Sequence, residues 1–187
     1  MDKLLVFINS LQTLDQETEN AIKNYFKEES FAKNEYLIKK GEICSKLYYI
    51  KSGLVRRFFY NDGEEITEWL YTDHQFVTSL SSYFEQKPSF ELFQASEKTK
   101  VYSLSYNDEQ KLLEYPLFSK FYTKLLRLYL SKLNEFHHLY KSMNAQEKYV
   151  YLLDTFPQII AKAKGKHIAS LIGVSQETLS RIRATIN

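Results

Sequence analysis

The chain has 187 residues, 44% of them hydrophobic and 16% aromatic, with one cysteine and a formal net charge of +2. That is enough apolar material for one domain with a sizeable core plus a small appendage, and too much for a disordered polymer. No apolar run reaches transmembrane length, Met1–Ile8 is too short for a secretory leader and lacks a cleavage site, and Cys44 has no intrachain partner; a cytoplasmic protein with no membrane partner is expected.

Residues 2–9 and about 16–28 read as two amphipathic helices. Asp15 is a natural N-cap for the second, and Ala21, Ile22, Tyr25 and Phe26 supply its apolar stripe. From Phe31 to about Ser105 the pattern changes to short β-rich runs: Glu35–Lys39, Lys46–Lys51, Leu54–Tyr60, Glu64–Tyr71, Phe90–Ser96 and Thr99–Leu104. Asp62-Gly63 is a strong type I′ hairpin signal, and Gly41 and Gly53 punctuate other joins. Strands this short, without helices between them, predict a closed antiparallel roll of jelly-roll type or a sandwich, and hence an α+β chain.

Tyr106–Tyr115 reads as a short helix, and Pro116 suits the first turn of the next one. That helix runs to about Met143, some 40 Å at about 1.5 Å per residue. Tyr122, Leu126, Tyr129, Leu133, Phe136, Tyr140 and Met143 follow alternating steps of four and three, a heptad seam. A second stripe, Phe118, Phe121, Leu125 and Leu128, is placed to dock on the roll. One broad face packed on its own domain is the alternative. Because there are two stripes and the seam outlasts the other, a homodimer through this helix is expected.

Asn144 with Glu147 has the form of a capping box for a helix with Tyr149, Leu152, Leu153 and Phe156 as its core face, ended by Pro157. Ile168, Ala169 and Ile172 then share one helical face, and Gly173 follows where a chain leaving a helix favours positive φ. Ser175 caps a last helix beginning at Gln176, with Val174 and Leu179 as a hydrophobic staple and Ile182 continuing its apolar side. This is the pattern of a helix-turn-helix, whose second helix enters the major groove of double-stranded DNA by its N-terminal turn. Gln176, Glu177, Ser180 and Arg181 are left outward, and their side chains suit base edges or phosphates. Ser175, Thr178, Arg183, Lys166 and His167 complete the candidate DNA-binding set. From Lys141 onward, five lysines and two arginines stand against three acids, a surplus of four that leaves the remainder at −2. A basic C-terminal module on a mildly acidic body suits phosphate binding. An ordinary helical hairpin with a solvated face, or a sensor acting through protein contacts with a degenerate helix-turn-helix, is the competing reading.

Ser175-Gln-Glu-Thr-Leu-Ser-Arg-Ile182 resembles the recognition helix of the Crp/Fnr family of bacterial transcription regulators, in which Ser-Arg-Glu-Thr is commonly followed by an apolar residue, a small residue and Arg. On that resemblance Glu177 and Arg181 are the base-reading pair, and Gln176 replaces a common arginine. Ile38-Lys-Lys-Gly-Glu42 through Tyr49-Ile-Lys-Ser-Gly53 is similar to the family's first strands. The resemblance implies a cyclic-nucleotide-binding-like roll over 1–115, a dimerisation helix over 116–143 and a helix-turn-helix over 144–187, with the dimer reading a near-palindromic site. Many members continue past the recognition helix into a two-stranded wing, whereas this sequence stops at Asn187, through either a natural lack of the wing or a truncation.

Family members that bind cyclic AMP hold its phosphate with a Gly-Glu loop and a nearby arginine. The matching stretch, Gln75–Glu91, has Thr78-Ser79 in place of Gly-Glu, no glycine or arginine, and Lys87 as its one cation. No cyclic-nucleotide response is expected, and an effector in the roll, if one exists, is of unknown class. A single cysteine excludes an iron–sulfur cluster. None of His74, His137, His138 and His167 has a spacing that selects haem, and Glu135 with His138 gives only one copy of a motif di-iron sites use in pairs. Only His74 lies in the β region, which argues against a cupin-type metal centre; no cofactor and no enzymatic activity are expected.

Overall fold

The computed structural model describes residues 1–186. Two helices come first, α1 (Asp2–Leu11) and α2 (Gln16–Tyr25). Asp15 caps α2 by accepting from the Thr18 N–H at 2.9 Å. The helix stops short of the expected residue 28, because Phe26 turns extended and the chain continues as β1 (Lys27–Phe31). The next elements are β2 (Tyr36–Ile38), β3 (Lys46–Ser52), β4 (Val55–Asn61), β5 (Glu64–Tyr71), β6 (Phe76–Val77), α3 (Leu80–Glu85), β7 (Leu92–Ala95) and β8 (Thr99–Ser105).

The strands form two antiparallel four-stranded sheets, ordered β1-β8-β3-β6 and β2-β7-β4-β5. This is the predicted roll. Asp62 and Gly63, at φ 49° and 85°, join β4 to β5 with both residues left-handed, as a type I′ turn requires. Between Arg57 and Phe58 the register of β4 on β5 slips by one: Arg57 pairs with Trp69 and Phe58 with Thr67, leaving Glu68 as the extra residue of a bulge.

Five helices follow α4 (Tyr106–Leu113): α5 (Pro116–Ser142), α6 (Ala145–Thr155), α7 (Pro157–Lys162), α8 (Gly165–Ile172) and α9 (Gln176–Ile186). The capping box is present: Asn144 Oδ1 accepts from Glu147 N–H at 3.0 Å, and Glu147 Oε2 from Asn144 N–H at 2.8 Å. Pro157, expected only to end α6, also occupies the first turn of α7.

Two hydrophobic cores result. The larger joins α1, α2 and the roll's inner faces to Phe118, Phe121, Tyr122 and Leu125 of α5. In the smaller, Tyr149, Leu152, Ile159, Ile168, Ala169, Ile172 and Leu179 close over Leu54 and Leu70. Helix α8 therefore lies on β5, and the Ser170 hydroxyl accepts from the Thr67 N–H at 2.9 Å. Trp69 stands between Phe136 and Phe156, with ring centroids 4.8 and 5.2 Å away. Lys162 adds ion pairs to Asp73 at 3.6 Å and Glu97 at 3.3 Å. Among the described residues no helix is long and apolar enough to cross a membrane.

Candidate nucleic-acid interface

Helices α8 and α9 meet at Gly173, whose φ of 79° carries the chain out of α8 with its N–H bonded back to Ser170. Ala169, 2% exposed, lets the two helices approach closely, and Leu179, also 2% exposed, anchors α9 beneath them. Ser175 caps α9 by accepting from the Thr178 N–H at 3.3 Å. With Leu179 and Ile182 turned inward, Gln176, Glu177, Ser180 and Arg181 are exposed in one band. Thr178 is half-buried, and its hydroxyl accepts from the Arg181 guanidinium at 3.2 Å. The Ser175 hydroxyl beside Glu177 holds that carboxyl below its usual range.

The outer candidates divide. Lys166 is exposed at the start of α8. Arg183 is half-buried, its guanidinium carbon 5.6 Å from the centre of the Tyr149 ring, so its stem braces α9 against α6. His167 is not on this surface. It is 6% exposed, with Nδ1 buried and unpartnered, because α8 turns it onto the roll beside Arg56 and Glu65. Burial, then the neighbouring positive charge of Arg56, pushes its pKa down to about 4.

The expected seam of α5 is split by the same docking. Tyr122 is in the main core; the Tyr129 hydroxyl accepts from Phe76 N–H at 3.0 Å and lies 3.2 Å from Phe76 O. Phe136 packs on Trp69, and the Tyr140 hydroxyl donates to Leu171 O at 2.9 Å. Met143 is half-buried where α5 ends. Heptad spacing therefore marked, for these five, a stripe largely used within the chain. Leu126 and Leu133 remain exposed, and Leu130, absent from the predicted seam, is 69% exposed between them.

Inside the roll, sequence reading missed a polar cluster that no spacing announces. The β-bulge re-aims Glu68 beside Arg57, at 3.4 Å, and Glu91 reaches the same Arg57 Nε from the start of β7, at 3.6 Å. Arg56, the preceding residue on β4, points the opposite way, into an ion pair with Glu65 at 2.7 Å under α8. Lys87 pairs with Glu85 at 2.5 Å on the exposed side of the loop.

Residues 28–115 match the family described as the cyclic nucleotide-binding domain. No curated protein sequence matches the chain significantly. Among solved structures, FixK2 from Bradyrhizobium japonicum is similar with a TM-score of 0.70 at 17% identity, over 86% of this chain and 84% of that one. The c-di-GMP-responsive global regulator CLP of Xanthomonas campestris gives 0.65 at 15% identity, over 92% and 91%. The catabolite activator protein of Thermus thermophilus gives 0.56 at 22% identity, over 92% and 84%. At such identities the likeness defines the fold. Residues 28–115 are a cyclic nucleotide-binding-type roll, and with the long helix and helix-turn-helix behind it the chain has the architecture of the Crp/Fnr family of regulators.

Proposed function

We propose that this protein is a homodimeric, DNA-binding transcription regulator and not an enzyme, with α9 as the helix that reads the major groove. The observation that supports this most directly is the exposed band Gln176, Glu177, Ser180 and Arg181 on a helix whose other side is anchored by Leu179. Arg181 suits guanine O6 and N7, Gln176 adenine, and Glu177 the cytosine amino group; Lys166 suits a phosphate at the groove edge. Arg183 braces the helix, and His167 serves the fold.

For the dimer we infer a seam shifted from the heptad expectation, along Leu126, Leu130 and Leu133, three of the apolar side chains that α5 leaves exposed. Burying each in a twin helix is worth about 1.5–3 kcal/mol. Pairing α5 across a two-fold axis would set two copies of α9 about 34 Å apart, for a near-palindromic operator.

The test is selection of bound duplexes from a random pool, followed by titration of the selected site with wild-type protein and Arg181→Ala at several salt concentrations. The expected result is a steep salt dependence for both and, for Arg181→Ala, a loss of about 1–3 kcal/mol on the selected site that disappears when one base pair is changed. Equal losses on matched and mismatched sites would remove Arg181 from base reading. Absence of salt-dependent binding would leave the protein-contact sensor as the better reading.

A further inference from the structure

We infer that Glu91 is a built-in occupant of the roll: an internal carboxylate that holds the segment from β6 through α3 to β7 in place and takes up the hydroxyl and guanidinium that an anion entering there would need. The argument starts at Ser79. It sits at the N-cap of α3, fully buried, yet its hydroxyl makes no bond to its own helix. A capping serine ordinarily accepts from an N–H two or three residues on. Here it donates to Glu91 Oε2 at 2.6 Å instead. Ser89, 2% exposed, lies 3.0 Å from the same Ser79 hydroxyl and accepts from the Glu91 N–H at 3.1 Å. The backbone of Ser89 is stitched to the β2–β3 connection, with its carbonyl accepting from Gly41 N–H at 2.7 Å and its N–H donating to Glu42 O at 2.9 Å. Ser82 ties α3 to the same connection, accepting from Cys44 N–H at 2.8 Å.

The other Glu91 oxygen faces Arg57 on the neighbouring strand β4, at 3.6 Å. Arg57 is shared with Glu68. Burial, with Glu91 nearby, raises the Glu68 carboxyl above its usual range despite Arg57. Two carboxylates thus meet one guanidinium. An incoming phosphate or carboxylate would have to expel the Glu91 carboxylate from the Ser79 hydroxyl and Arg57 and then face Glu68. A buried charge stripped of its partners is costly, so wild-type protein keeps this arrangement and takes no anion there.

The experiment is thermal unfolding of the full chain and of Glu91→Ala, in chloride or formate at matched ionic strength, with cyclic AMP and inorganic phosphate as further additions. Its readout does not depend on DNA binding, so it stands or falls separately from the regulator reading. For wild type, formate, phosphate and cyclic AMP are expected to leave the midpoint where chloride leaves it. Glu91→Ala should unfold about 5 °C lower, and formate, which restores a carboxylate between Ser79 and Arg57, should recover at least half of that loss. Glu91→Gln fills the same volume and should show no formate response. Should Glu91→Ala fail to fold in chloride, folding in formate supports the inference, and failure in both salts overturns it. So do specific stabilisation of wild type by cyclic AMP or phosphate, a Glu91→Ala midpoint that formate does not move, and a formate response in Glu91→Gln.

Discussion

The two cores are assembled in different ways. The main one is nearly self-sufficient, closed by the two sheets, by α1 and α2, and by the first half of α5. The C-terminal one is short of material: α6 to α9 bury Tyr149, Leu152, Ile159, Ile168 and Leu179, and complete the cluster only by borrowing Leu54 and Leu70 from the roll. A unit of some forty residues has too little interior to be comfortably stable alone. The helix-turn-helix is therefore better regarded as one wall of the roll than as a bead on a string. The β4–β5 pair is shared property, presenting Arg57 and Glu68 inward and Arg56, Trp69 and Leu70 to the helices outside.

The comparison breaks most decisively at Leu70, which is fully buried on β5. Leu70→Ala is expected to cost about 2–5 kcal/mol, and hydrogen exchange should show α8 and α9 losing protection ahead of β3 and β8. Loss confined to the roll would mean that the C-terminal unit stands on its own. Acid should act next. With His167 held down to about 4 against an ordinary 6.5, its contribution is complete above about pH 6.5 and is lost as pH falls toward 4. The swing is up to about 3 kcal/mol at this buried position. Protonation there meets Arg56, Lys164 and Lys166, with Glu65 as the one opposing charge. The protection factors of the α8 amides, which allow for the slower intrinsic exchange in acid, should fall from pH 7 to 4 in wild type and much less in His167→Gln. Ser170→Ala is a milder cut: it strips the buried Thr67 N–H of its acceptor and should cost about 1–2 kcal/mol in urea unfolding. The smallest effect sharpens the comparison from the other side. Lys166→Ala, exposed and outside both cores, should leave stability unchanged and lower the salt slope of DNA binding by about one.

The sequence was most informative where local chemistry decides geometry. Asp15, Asn144 with Glu147, Asp62-Gly63 and Gly173 each specify a cap or turn within a few residues, and each is realised. It was least informative where partners come from afar. The heptad of α5 marks apolar positions but not whether a twin helix or Trp69 and Phe76 will meet them. His167 and Lys166 look equivalent beside the motif, and only the docking of α8 on β5 sends one inside. Glu91 has no local signature: inside the β-rich run Phe90–Ser96 a carboxylate reads as solvated, and only the fold surrounds it with Ser79, Ser89 and Arg57. The six-residue α3 that carries Ser79 at its N-cap is too short to leave a periodic trace.

Trp69 is the protein's single tryptophan, and its indole edge contacts side chains from the far half of α5 and the end of α6 while its backbone belongs to β5. The unlabelled protein therefore contains one chromophore at the point where its three parts meet. Its emission wavelength and quenching by iodide or acrylamide will report any rotation of the helix-turn-helix relative to the roll, in real time and without a dye.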